Sequence, residues 1–155
     1  MLLQTNTETH THGDVLAELI ENASLSILCS GWIKLSGLEV LRPAIEAALS
    51  KGARIVVYSN RKDTKRGVAG ALAKLAKHGK QGLTHHVIDD PKPTLHTKIY
   101  YFESGDRYTA LIGSANITEG GLKCNEELSV HLTGTTGDQL FHQIQAYLHR
   151  LASLQ

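Results

Sequence analysis

His96-Thr97-Lys98, Gly113-Ser114-Ala115-Asn116 and Asn125-Glu126-Glu127 bring an imidazole, an ammonium, a carboxamide and a carboxylate into one short stretch. His96 and Lys98 sit two residues apart at the mouth of the β-branched and aromatic run Ile99-Tyr100-Tyr101-Phe102, so both point to one face of a strand. A cation beside an imidazole favours the neutral ring, which is the nucleophilic form. Lys98 and Asn116 are suited to hold the oxygens of a phosphate that His96 attacks, and Ser114 adds a neutral donor. A carboxylate such as Glu127 can orient the ring through its other nitrogen. Gly113 is expected to let the backbone approach the ligand. The chemistry that such a set performs is phosphoryl transfer without a metal.

These groups need a rigid frame, and the residue pattern supplies one. Lys98–Phe102, Tyr108–Ile112 and Leu128–Leu132 read as strands, the last alternating. Upstream, Val15, Leu16, Leu19 and Ile20 have helical spacing behind a cap at Asp14 or Thr11, and Leu25–Ser30 is a buried strand. The loop 31–37 leads into a helix with Leu38, Leu41, Ile45, Ala48 and Leu49 on one side, and Ala53–Ser59 follows as a central strand. That strand-helix-strand unit predicts parallel pairing. Another helix carries Val68, Leu72 and Leu75; a short strand covers 85–89, with His85 and His86 on opposite faces; Asp90-Pro91-Lys92-Pro93 is a stiff connector to His96. Leu140, Phe141, Ile144, Tyr147, Leu148 and Leu151 form a final helical stripe. The expected fold is a single α/β domain with a mixed central β-sheet and helices on both faces, over residues 14–155. Residues 1–13, including the His10/His12 pair, are expected to be a flexible leading segment rather than a metal site.

At His96-Thr97-Lys98, at Gly113-Ser114-Ala115-Asn116-Ile117-Thr118 and at Glu127-Leu128 the chain resembles the phospholipase D superfamily. The wider string from Ile112 to Leu122 looks most like its nuclease branches, the NgoFVII-like restriction endonucleases and helicase-associated modules. The resemblance implies a phosphohistidine formed on His96, charge neutralised by Lys98, Asn116 and Ser114, and a ring held by Glu127 rather than by its neighbour Glu126. No cofactor or metal is implied. Glu103, followed by Asp106, stands where the family usually has Asp, a mainly structural position.

Of the two His-x-Lys strings, His78-Gly79-Lys80 sits in no matching motif and only His96-Thr97-Lys98 runs into a strand and the Gly113-Ser114-Ala115-Asn116 turn, whereas in-line displacement needs a second group to protonate the leaving oxygen. Family members with one motif form a two-fold dimer, so a homodimer with a shared site is expected. With 16 Lys and Arg against 15 Asp and Glu, the net charge of +1 gives no global attraction to nucleic acid, and any affinity is local. Two places are candidates. Lys34 and Ser36 stand at a helix entry suited to a phosphate, the alternative being a solvated loop with Trp32 packed beneath it. Arg61, Lys62, Lys65 and Arg66 form a basic cluster beyond a strand end, which suits a nucleic-acid backbone and also an exposed loop. DNA is the expected partner ahead of RNA, within a free nuclease or a larger nuclease or helicase assembly. Other readings are a non-catalytic nucleic-acid-binding module and a hydrolase of phospholipids or other phosphodiesters. Cys29 and Cys124 lack metal or disulfide spacing, and the start lacks a basic, apolar leader, so a reduced, cytoplasmic, non-membrane protein is expected.

Overall fold

The computed structural model describes residues 1–154 except 63, 65, 79–81 and 89–93, and of Arg66 the backbone only. The connector 90–93 therefore lies outside the described residues. Seven strands form one sheet: β1 (Leu2–Thr5), β2 (Leu25–Ser30), β3 (Arg54–Asn60), β4 (Leu83–Ile88), β5 (Lys98–Ser104), β6 (Arg107–Gly113) and β7 (Leu128–Thr135). Their spatial order is β1-β7-β6-β5-β2-β3-β4. The β2-β3-β4 half is parallel, as the strand-helix-strand unit requires, and the remaining pairs are antiparallel. Helices α1 (His12–Asn22), α2 (Leu35–Ser50) and α3 (Arg66–Leu75) bury their apolar stripes in one core, and α4 (Gln139–Ala152) lies against the other.

The pleat explains how β5 serves both cores. Tyr100 and Phe102 pack among residues of α1, α2 and α3, whereas Ile99 and Tyr101 pack with Ile144, Leu148 and Leu151 of α4. A strand covered on both sides reads as a continuous apolar run, which is why β5 lacks alternation. The antiparallel join of β2 to β5 pairs Ser30 with Lys98, and the β6–β7 join pairs Gly113 with Ser129. Hence the ends of β2 and β6 and the starts of β5 and β7 lie along one edge of the sheet.

Residues 1–13 are not a loose leader. Leu2–Thr5 pair with β7, and α1 starts at His12, two residues before Asp14, behind a Thr11–Asp14 capping box. His12 is fully buried. Asn6 donates from Nδ2 to the carbonyls of Gly121 (3.1 Å) and Asn125 (3.0 Å), so its Oδ1 faces His12. That oxygen accepts the His12 backbone N–H at 2.8 Å and Nδ1–H at 2.9 Å, leaving Nε2, 3.0 Å from Ser129 Oγ, as an acceptor. The segment gains order because these polar groups find partners in the turn before β7.

Burial holds His12 below the ordinary histidine value, with Glu127 pulling the other way, and burial likewise lowers His85, His86 and His131. Each binds its proton more readily in the unfolded chain. Stability is therefore fully present above about pH 6.5 and falls as the pH drops from there toward the depressed folded values. The urea midpoint should be lower at about pH 5 than at about pH 8, and His12→Gln should flatten the difference. A wild-type midpoint that does not change with pH would refute this.

Candidate active site

The sheet edge gathers the residues with chemical potential. Lys98 opens β5 and is only 7% exposed. Its Nζ donates to the His96 carbonyl at 2.8 Å and lies 3.3 Å from His96 Nδ1. Burial lowers the Lys98 ammonium, and the Glu127 carboxylate and the Cys29 thiol act against that shift. Because an ammonium only donates, Nδ1 is the acceptor and the neutral ring of this state carries its proton on Nε2. The imidazole and the ammonium thus share one face, as the two-residue spacing predicts, and the exposed His96 ring stands beside a cation.

Asn116 reaches the same edge through β2. Ser30 Oγ donates to the Trp32 carbonyl at 2.8 Å, accepts the Ile117 N–H at 3.1 Å, and lies 3.2 Å from Asn116 Oδ1. The Trp32 N–H, 3.3 Å from Asn116 Oδ1, can only donate, so the atom facing it must be the oxygen. Nδ2 is then the edge of the amide left for a ligand. Below the turn, the Tyr100 hydroxyl donates to the Ala115 carbonyl at 2.7 Å. Ser30 is the polar last residue of β2, a strand that also carries Ser26, so its type alone did not mark its part in the site.

Glu127 is near but differently engaged. The Ser114 hydroxyl donates to one carboxylate oxygen, and Asn125 Nδ2 lies 3.4 Å from the other. Among the described residues no hydrogen bond joins Glu127 to His96, so the expected orientation of the ring by this carboxylate does not occur within the chain. Ser114, expected to donate to phosphate, is turned to Glu127 and also accepts the Leu128 N–H at 3.1 Å. Gly113 is needed for a different approach than expected: a Cβ there would lie 2.3 Å from the Leu128 carbonyl oxygen, so it admits β7 rather than a ligand. Glu126 is exposed. Glu103, far along β5, accepts from the Tyr101 hydroxyl at 2.7 Å and from Gln145 Nε2 at 3.2 Å, a bond to the α4 layer.

The outlying cations divide. Lys34 precedes α2, donates its backbone N–H to the Ile117 carbonyl at 2.9 Å, and holds Nζ 4.5 Å from the Trp32 ring centroid; Ser36 is exposed in the first turn. Trp32 is not packed beneath the loop but is 43% exposed. Arg61 and Lys62 are exposed just past the end of β3, while Lys65 and the side chain of Arg66 lie outside the described residues. At the tip of β3, Asn60 Nδ2 donates to the Leu95 carbonyl at 3.0 Å, one residue before His96. Spacing did not reveal Tyr147 of α4, whose hydroxyl donates to Thr97 Oγ1 at 2.6 Å and braces the His96–Lys98 segment from the opposite face. Among the described residues no group of three or more His, Cys, Asp or Glu is arranged to hold a metal, and no helix is long and apolar enough to cross a membrane.

The fold is found in solved structures. Nuc, a phospholipase D family member from Salmonella typhimurium, is similar with a TM-score of 0.72 at 15% identity, over 98% of this chain and 91% of that one. Phosphatidylserine synthase from Haemophilus influenzae scores 0.71 at 15% identity, over 97% of this chain and 37% of that one. Yeast tyrosyl-DNA phosphodiesterase scores 0.60 at 15% identity, over 97% and 37%. No curated protein sequence matches. The motif residues, the seven-stranded mixed sheet and a match over residues 16–152 to the family model described as "Cardiolipin synthase, PLD-like domain" agree: the chain belongs to the phospholipase D-like domain family.

Proposed function

We propose that the chain is a metal-independent phosphodiesterase that cleaves DNA through a phosphohistidine, at a site shared by two copies. The carrying observation is the convergence of His96, buried Lys98 and the oriented Asn116 amide on one sheet edge. A phosphate entering there offers Lys98 an anionic acceptor in place of Nδ1. The ring proton then moves through solvent to Nδ1, and the freed Nε2 lone pair attacks phosphorus. The bond to the leaving oxygen breaks, and that oxygen takes a proton from a second imidazole that enters this step as the imidazolium and leaves it neutral. Water next attacks phosphorus, gives its proton to that second imidazole, and releases His96. Lys98 and Asn116 Nδ2 stabilise the charge on the non-bridging oxygens throughout.

The chain has one complete motif, with His96-Thr97-Lys98 followed by the Asn116 turn, so the second imidazole is His96 of a second copy related by a two-fold axis. The Nδ1–H formed on attack needs an acceptor, and Glu127 in the same chain is held by Ser114 and Asn125. The facing site of the dimer offers its own copy of that carboxylate from the other side, and the lone pairs left free by the Ser114 and Asn125 bonds can accept the Nδ1–H. The interface runs along residues 96–98 and 113–118. Lys34, Ser36, Arg61, Lys62, Lys65 and Arg66 follow the nucleic-acid backbone. The sequence likeness to NgoFVII-like restriction enzymes and helicase-associated modules stands with this reading, as does the yeast neighbour whose name specifies a DNA phosphodiester.

A phospholipid phosphodiester is the second reading, favoured by the family model's description and by the phosphatidylserine synthase likeness. One panel separates them: DNA, RNA and vesicles of phosphatidylcholine or cardiolipin, each with excess EDTA. Cleavage of DNA at a rate that EDTA leaves unaltered is expected. An absolute requirement for divalent metal sinks the histidine mechanism. Lipid hydrolysis without nucleic-acid cleavage selects the second reading, and DNA binding without turnover means a binding module.

A further inference from the structure

We infer that Trp32 is a base-stacking platform beside the scissile phosphate, which makes single-stranded nucleic acid the preferred substrate; this rests on the nuclease reading above. Trp32 is an aromatic side chain left 43% exposed at the mouth of the site, and it is the only tryptophan in the chain. Its position is not that of a loose surface residue. The backbone N–H is bonded to Asn116 Oδ1, the carbonyl receives the Ser30 hydroxyl, and the next residue, Ile33, forms a bridge to Ile117. These ties lead, directly or through Ser30, to the turn that presents Asn116, so the backbone that carries the indole is anchored beside the amide that grips phosphate.

Lys34 Nζ lies 4.5 Å from the indole centroid, and Lys34 is itself tied to the Ile117 carbonyl. An exposed ring and an ammonium held together match a nucleotide, which offers a flat base and an anionic phosphate at short separation. A nucleobase gains the ring as a stacking surface, and Lys34 reaches the flanking phosphate. Bases in a duplex are already stacked on both faces and cannot do this without being unpaired. A phospholipid headgroup has the phosphate but no flat base.

Indole emission is a direct test because Trp32 is its single source. In a His96→Ala background, which stops turnover, a short single-stranded DNA should quench Trp32 saturably. The same strand with abasic positions around the bound phosphate, and a blunt duplex of equal length, should quench it weakly. In the active protein, Trp32→Ala should raise KM for the single strand roughly 5- to 100-fold, Trp32→Phe should recover most of that, and the loss should exceed any loss on bis(p-nitrophenyl) phosphate, which has no base. Equal quenching by normal and abasic strands overturns the platform, as does equal loss on both substrates. So does emission that responds to protein concentration or to anionic vesicles but not to DNA, since the ring is then covered by a second copy or by lipid. A wild type that hydrolyses no phosphodiester at all instead refutes the nuclease reading itself, so the two failures are distinct.

Discussion

His96→Ala is expected to lower the cleavage rate by about 10⁴-fold or more while leaving the melting behaviour almost unchanged. The asymmetry follows from where the ring sits. It is exposed before β5, and the stronger of the two bonds Lys98 makes here is to the His96 backbone carbonyl, which alanine retains. Little packing is lost, but the one imidazole of the chain that shares a site with Lys98 and Asn116 disappears. Mixing adds the decisive information about the second copy. When excess His96→Ala subunits exchange with wild type, most wild-type chains enter heterodimers whose composite site has one imidazole where the reaction needs two. Activity per wild-type chain should fall steeply as the variant is added, or the reaction should stop at a covalent adduct. Undiminished activity per wild-type chain would mean that each chain catalyses alone, and the shared site would be wrong. Light scattering on the same mixtures shows whether exchange took place.

Gly37→Ala should be strongly damaging, although alanine is normally preferred to glycine inside a helix by about 1 kcal/mol. Gly37 lies in the first turn of α2, against the segment after Asn116. A Cβ there would fall 2.4 Å from both the carbonyl carbon and the oxygen of Ile117, and 2.5 Å from Thr118 Cα. All three are backbone or backbone-attached atoms, so no side-chain rotation relieves the overlap. Helix α2 cannot retreat either, because Leu38, Leu41 and Ile45 on it are buried in the core shared with α1 and α3. The chain must displace the turn, and Asn116 with it. We expect a loss of about 3 kcal/mol or more in urea unfolding, together with a fall in kcat from the misplaced amide. Gly70→Ala in α3 is the internal control: nothing lies within 4 Å of its added Cβ, so helix propensity should make it neutral or stabilising. If the two variants unfold at the same midpoint, the contact at Gly37 does not constrain the fold as argued.

Readable from residue order alone were the groups that can do chemistry and the elements that carry them. Two-residue spacing put His96 and Lys98 on one face because a strand has a period of two, and 3.6-residue stripes marked α2 and α4 because an apolar face must be covered. The parallel β2–β3 pair followed from the handed geometry of strand-helix-strand units. Those are local rules, satisfied within one or two elements. The partners of the site groups were not local. His12 meets Ser129 across 117 residues and Ser30 meets Ile117 across 87, distances in sequence over which no periodicity carries information. Only the assembled sheet decided that the leading segment became β1 and a bonded wall of the 121–129 turn, and that Ser114 serves Glu127 rather than a phosphate. It also decided that Glu127 stays off its own His96, and that Trp32 points outward beside Asn116. Each of these depends on which buried hydrogen-bonding groups still lacked partners once the strands had paired, and that remainder exists only after the chain has folded.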